Sequence, residues 1–221
     1  NDFSTWTNQG STDTANSATS PDGEANGTLI AEDTSTGSHG VYDLVTTTAT
    51  TYTFSTYVKA AGRDWVRLYF DGAVSNLEAW FNVSTGVVGT VDSGGVATIS
   101  DVGNGWYRCS LTQVGSAASK TFAIYTADAD GSSSHTGDGS SGLYIYGAQL
   151  EAGSSLGPYT PTNGSTATRS GTNCHKAVSE FGYRQDEGTV VATFQSAGSD
   201  GSDYPRVFEF NDGSGSNRFT T

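Results

Sequence analysis

Three histidines, two cysteines and 23 acidic residues are the groups here with chemistry to offer, and their spacing decides how much of it they can perform. His39, His135 and His175 each stand in loop-like sequence with no partner at a useful spacing, which reads as surface histidine. Cys174 next to His175 has the make-up of a dyad or of half a metal site, but zinc takes four ligands and no others are close in sequence. Cys109, inside the strand-like run Trp106-Tyr107-Arg108-Cys109-Ser110-Leu111, reads as a buried thiol. Gly153-Ser154-Ser155-Leu156-Gly157 has the letters of a nucleophile elbow. That turn needs a strand before it and a helix after it, and here the flanks are Ser, Gly and Pro. Asp128-Ala129-Asp130-Gly131-Ser132 opens like a calcium loop, but Gly131 falls at the fourth position rather than the sixth, and Gly139 stands where the twelfth-position Glu should be. Paired carboxylates, the glycosidase arrangement, arise by chance among so many acids. The chain therefore reads as non-enzymatic.

The aromatic residues carry a clearer signal. Successive side chains of a strand point to opposite faces. In the run from Trp65 to Phe70, Val66, Leu68 and Phe70 share one face, and Trp65, Arg67 and Tyr69 share the other. In the run from Tyr52 to Lys59, Phe54 and Val58 oppose Tyr57 and Lys59. Phe81 and Val83 oppose Trp80. The aliphatic faces are core. Tyr57, Lys59, Trp65, Arg67, Tyr69 and Trp80 are left as candidate carbohydrate-binding residues, because sugars stack their C–H faces on aromatic rings and offer hydroxyls to polar neighbours. The competing expectation covers those rings with a loop, a second sheet or a neighbouring subunit.

The elements that would hold these residues are strands. Gly contributes 29 of the 221 residues, and Gly and Thr both lower helix propensity. Strand-like runs fall at 41–45, 51–59, 65–70, 78–83, 96–100, 106–113, 121–126 and 143–150, with turns at Asp71-Gly72, Ser84-Thr85-Gly86, Ser93-Gly94-Gly95 and Gly103-Asn104-Gly105. This spacing predicts an antiparallel β-sandwich over 1–160. Residues 152–170, with two prolines and no periodicity, read as a linker, placed at 161–180 once the sandwich is closed. Residues 181–221, with strands at Thr189–Phe194 and Arg206–Phe210, then form an incomplete second β-domain or a strand extension. A chain that begins at Asn1 and contains no Met is expected to be a processed product or a fragment.

A net charge of −13 with only 10 Lys plus Arg leaves no basic footprint for nucleic acid and disfavours anionic membranes. No run approaches the roughly 20 apolar residues of a membrane-spanning helix.

Four runs in fixed order carry a resemblance: Asp2-Phe3-Ser4-Thr5-Trp6; Tyr52-Thr53-Phe54-Ser55-Thr56-Tyr57-Val58-Lys59-Ala60; Val102-Gly103-Asn104-Gly105-Trp106-Tyr107-Arg108-Cys109; and Gly137-Asp138-Gly139 through Leu143-Tyr144-Ile145-Tyr146-Gly147-Ala148-Gln149-Leu150-Glu151. Together they resemble a jelly-roll, carbohydrate-binding-like module of tailed-phage structural proteins, over residues 1–165. Glu187–Phe194 and Asn217-Arg218-Phe219 look like the opening of a concanavalin- or laminin-G-like domain. The sequence departs from the pattern at His135 and Tyr146, where aromatic residue and Trp are usual. The resemblance implies a jelly roll, a virion or extracellular setting, a host-surface or environmental glycan as ligand, homo-oligomer or virion neighbours, and a structural calcium in oxygen-rich loops. Its expected function is glycan binding or adhesion. The alternatives are a purely architectural virion or filament subunit, and the accessory module of a polysaccharide-degrading enzyme.

Overall fold

The computed structural model describes residues 3–71, 76–162 and 166–168, together with short strands at Glu209–Asn211 and Arg218–Thr220. Among the described residues there is no helix. In chain order the strands are β1 (Thr7–Gln9), β2 (Ser11–Ala18), β3 (Gly27–Glu32), β4 (Thr36–Gly37), β5 (His39–Thr47), β6 (Thr51–Ala61), β7 (Trp65–Asp71), β8 (Asn76–Asn82), β9 (Val87–Val91), β10 (Val96–Gly103), β11 (Trp106–Val114), β12 (Ala118–Ala127), β13 (His135–Thr136), β14 (Gly142–Ala152), β15 (Glu209–Asn211) and β16 (Arg218–Thr220). The chain divides into two units, Asn1–Ser165 and Thr166–Thr221. In the second, β15 and β16 pair antiparallel, with Phe210 opposite Phe219. The strand expected at Thr189–Phe194 lies outside the described residues.

The first unit is an all-β sandwich of two six-stranded antiparallel sheets. Sheet A runs β1-β5-β12-β7-β8-β9, and sheet B runs β10-β11-β6-β14-β3-β2. The eight strands β3, β5, β6, β7, β8, β11, β12 and β14 form its centre. Numbered one to eight along the chain, they lie in the orders 1-8-3-6 and 2-7-4-5, the double Greek key of a jelly roll. All eight strand-like runs read from the sequence are present. β3 was missed because its pattern, half apolar and flanked by Gly and Asn, lacks a clear period.

Alternate residues fill the space between the sheets. Val66, Leu68 and Phe70 of β7 meet Phe81 and Ala79 of β8 and Phe122 and Ile124 of β12 on sheet A's inner face. Phe54 and Val58 of β6, Cys109 and Leu111 of β11, and Leu143 and Ile145 of β14 face them from sheet B. Phe122 packs at 4.4 Å from Phe70 within its sheet and 5.5 Å from Phe54 across the core. The Cys109 thiol is pushed far up by burial, an inert core group.

Beyond β14 the chain does not leave the sandwich as a linker would. Arg108 donates to the Gly157 carbonyl at 2.7 Å, the Gly157 N–H donates to Glu151 at 2.8 Å, and the Thr160 N–H donates to the Gln149 carboxamide at 2.8 Å. Tyr159 lies 5.5 Å from Tyr146 and 6.1 Å from Tyr57. Residues 153–160 are thus strapped across the outer face of sheet B. Gly147, at φ 62°, sits in the β14 bulge that aims Gln149 at this strap, and a side chain there would crowd both Tyr57 and Tyr159. Composition suggests a linker because the strap's backbone N–H and C=O groups, not its side chains, make these bonds.

Leu68→Ala is expected to lower unfolding free energy by roughly 2–5 kcal/mol, whereas Leu44→Ala, at an outward position 59% exposed, should change it by less than about 0.5 kcal/mol. Urea unfolding of the two variants measures the difference.

Candidate functional site

The outer face of sheet A is built from two rows of side chains fixed by strand register. One row runs from Gln9 on β1 over Gly40 on β5 to Tyr125 on β12, Arg67 on β7 and Trp80 on β8. The next runs through Thr7, Tyr42, Ala123, Tyr69 and Glu78. In the second row, small Ala123 separates two phenols. In the first, Gly40 leaves room for the ring of Tyr125: a Cβ there would collide with the Ile124 carbonyl and come within 2.8 Å of that ring. The Tyr125 hydroxyl reaches across Gly40 and donates to the Gln9 carboxamide oxygen at 2.9 Å. Asn8, Gln9, Tyr42, Tyr69, Thr121 and Tyr125 line an open groove of about 420 Å³ on this face.

Arg67 underpins the groove. It is only 4% exposed although it lies on the outer face. Its guanidinium carbon lies 4.5 Å over the Tyr125 ring, and it donates to Glu78 at 3.2 Å and to the Ser38 hydroxyl at 2.9 Å. Burial pulls the guanidinium below its usual range, with Glu78 opposing that shift, and burial raises Glu78, with Arg67 opposing that one. Burial likewise pushes Tyr125 up to about 12 and raises Tyr69, with Asp71 and Glu78 adding to the effect. Both phenols are therefore neutral hydrogen-bonding groups at neutral pH.

The structure divides the six residues singled out in the sequence. Trp65, Arg67, Tyr69 and Trp80 share the outer face of sheet A, while Tyr57 and Lys59 lie on β6 in sheet B, on the opposite side of the molecule. Tyr69 lines the groove. Trp65 is half-buried beside Gly89 and Asp130. Trp80 is 4% exposed, its indole donating to the Ser132 carbonyl at 2.9 Å under the loop 128–134, so its ring is not open for stacking. Tyr57 is half-buried and packs against Tyr146, Tyr159 and Arg108. Lys59 donates to the Asn104 carbonyl at 2.9 Å. Alternation assigned every one of these faces correctly, but it does not report what covers a face. Tyr42 and Tyr125 were not singled out. Their signal was the same period, opposite Val41 and Ile124, in runs with less aromatic content.

A second dense cluster lies at one end of the sandwich. Glu32 is 2% exposed and accepts two bonds from Arg63, one of them at 3.0 Å from Nε. It also accepts from His135 Nε2 at 2.9 Å and from the Asp138 N–H at 2.9 Å. The His39 ring nitrogens lie 2.6 Å from the Gly10 carbonyl and 3.1 Å from the His135 carbonyl. Both histidines are buried, His39 completely, which corrects their reading as surface groups. The two-stranded β4–β13 pairing folds the loop over them, a contact 100 residues apart in sequence. Asp138 accepts from the Ser140 and Ser141 N–H groups at 2.8 and 2.7 Å, so the Gly137-Asp138-Gly139 motif is an anchor for this end.

Gly153–Gly157 lies in the strap, without the strand-to-helix turn of a nucleophile elbow. Asp130 accepts from the Thr90 N–H at 2.7 Å and its hydroxyl at 3.2 Å, as a loop tie. Among the described residues, no three His, Cys, Asp or Glu side chains are grouped to hold a metal ion. Cys174 and His175 lie outside the described residues. The chain matches no family model, and no curated protein is similar to it.

Burial works against ionisation of Glu32, but the hydrogen bonds from Arg63, His135 and Asp138 outweigh it and hold the carboxyl below its ordinary value of 4.5. The folded state then resists protonation that the unfolded chain accepts. Its stabilisation is complete above about pH 5 and is lost as pH falls further. Hydrogen bonds likewise lower Asp138, from Ser141 and Ser140, and they lower Asp22 against the pull of burial. Thermal unfolding should therefore be flat from pH 7 to about pH 5 and drop steeply below. Glu32→Gln, which leaves Arg63 unmatched, should cost about 3–5 kcal/mol at pH 7 and flatten the acid limb.

Proposed function

We propose that Asn1–Ser165 is a non-catalytic glycan-binding module of a virion or extracellular surface protein, and that it binds through the outer face of sheet A. The observation that carries the reading is the groove of Tyr42, Tyr69 and Tyr125 with the carboxamides of Asn8 and Gln9 and the hydroxyl of Thr121. The half-buried rings of Tyr42 and Tyr69 stand ready for the C–H faces of a pyranose beside donors and acceptors for its hydroxyls, while Tyr125, 7% exposed and covered by Arg67, forms the floor. The groove is preorganised. Gly40, Arg67 and Glu78 hold the Tyr125 ring, and Tyr125 holds the Gln9 carboxamide with its Nε2 hydrogens still to offer. A binding surface fixed before the ligand arrives loses less entropy on association. The jelly-roll strand order is shared by many families, and the virion or extracellular setting rests on the sequence resemblance to tailed-phage carbohydrate-binding-like modules alone.

An architectural role in a virion or filament is favoured by one observation. Edge strand β10 presents Val96, Thr98, Ser100 and Val102 outward, with Val96 and Val102 exposed. An edge of this kind, with Asp101 as the one charged residue within β10, is a template for pairing with another chain. In that case the protein has an oligomeric mass by light scattering, and Val96→Lys with Val102→Lys returns it to the monomer.

The binding reading is tested on a glycan array, followed by titration of the hits. Tyr42→Ala and Tyr69→Ala should each weaken binding by about tenfold or more. Tyr57→Ala, on the other sheet, should leave it unchanged. An array without hits, or equal binding by all three variants, rejects a glycan site on sheet A.

A further inference from the structure

We infer that the sheet A groove selects uncharged glycans and rejects polyanionic ones such as uronate-bearing, sialylated or sulfated chains. The inference rests on the glycan-binding reading and adds the charge class of the ligand.

Recognition of an anionic sugar needs a cation or a set of converging N–H donors at the site. Among the described residues lining the groove, none is charged: the polar groups are two carboxamides, a threonine hydroxyl and three phenols. The guanidinium nearest to them, Arg67, is out of reach. It is buried beneath the surface, its flat face is covered by Tyr125, and its charge is matched by Glu78. Lys120, at the end of β12 toward Thr121, is also matched, lying 3.4 Å from Asp71. The charged groups around the groove thus stand in two ion pairs, and the carboxylates of both belong to its rim. Glu78 is directly across from Tyr69 in the β7–β8 register, and Asp71 follows two residues along the same face of β7. At Tyr69 both carboxylates add to the rise that burial produces in its phenol, and Arg67 opposes it. The net charge of −13 extends the same sign over the molecule. A carboxylate or sulfate entering the groove would lose hydration and meet no free cation, because Arg67 and Lys120 are each already paired with a carboxylate. A neutral pyranose needs only what the groove holds.

The test uses an array that carries neutral glycans alongside their sialylated, uronate-bearing and sulfated counterparts, read at low and at physiological salt. The expected hits are uncharged, and the acidic counterpart of any hit binds at least tenfold more weakly, with the gap narrowing as salt rises. Thr121→Lys, which places a cation in the groove, should raise the binding of acidic counterparts relative to neutral hits by about tenfold, whatever the lost hydroxyl costs both. Acidic glycans among the strongest wild-type hits that are lost in Tyr42→Ala would overturn the charge selection and leave the glycan site standing. An array without any hit would remove the site itself.

Discussion

Each strand of a sandwich can hand only every second side chain to the space between its sheets. Whatever fills the core therefore dictates where the neighbours must go. On β7 this places Val66, Leu68 and Phe70 inside and leaves Trp65, Arg67 and Tyr69 to find partners outside. The outer face of sheet A is the set of solutions. Trp80 lies beneath the 128–134 loop, Arg67 is matched to Glu78 and covered by Tyr125, and Tyr125 is accommodated by the missing side chain of Gly40. The groove follows from these fits, because each fixes the position of the next group.

The two outer faces meet the same constraint differently. On sheet B, the row Arg108–Tyr57–Tyr146 is closed by the chain's own residues 153–160, through Gly157, Thr160 and Tyr159. On sheet A, no described segment lies over Tyr42 and Tyr69, and that row stays open. This asymmetry decides which aromatic surface is available to a ligand. It also explains why a strap with the composition of a linker is ordered: its backbone satisfies polar side chains that would otherwise be left on a half-covered face.

At the end of the sandwich, Glu32 does for the loops what the core does for the strands. A buried carboxylate tolerates its position only with its acceptor capacity filled, and Arg63 from one segment and His135 and Asp138 from another fill it. The Gly137-Asp138-Gly139 motif, which drew attention as a family-like signature, acts here by turning the chain so that its N–H groups reach Asp138 and Glu32.

The two-residue period of its apolar positions was enough for the sequence alone to set eight of the strands, β5 to β8, β10 to β12 and β14, the faces of β6, β7 and β8, and the all-β sandwich. Periodicity is local, and a pleat has the same consequence wherever its strand ends up. The groove was only half legible. Tyr69 could be placed on an outer face, but its joining to Tyr42, Tyr125 and the carboxamides of β1 depends on β1, β5, β12 and β7 becoming neighbours, with pairings as distant in sequence as His39 and Thr126. The exclusion of Trp80 and Tyr57, the burial of His39 and His135, and the separation of Tyr57 and Lys59 from the rest were likewise settled by tertiary structure. Which face a side chain takes is a property of its own strand, whereas what lies over that face belongs to a distant part of the chain.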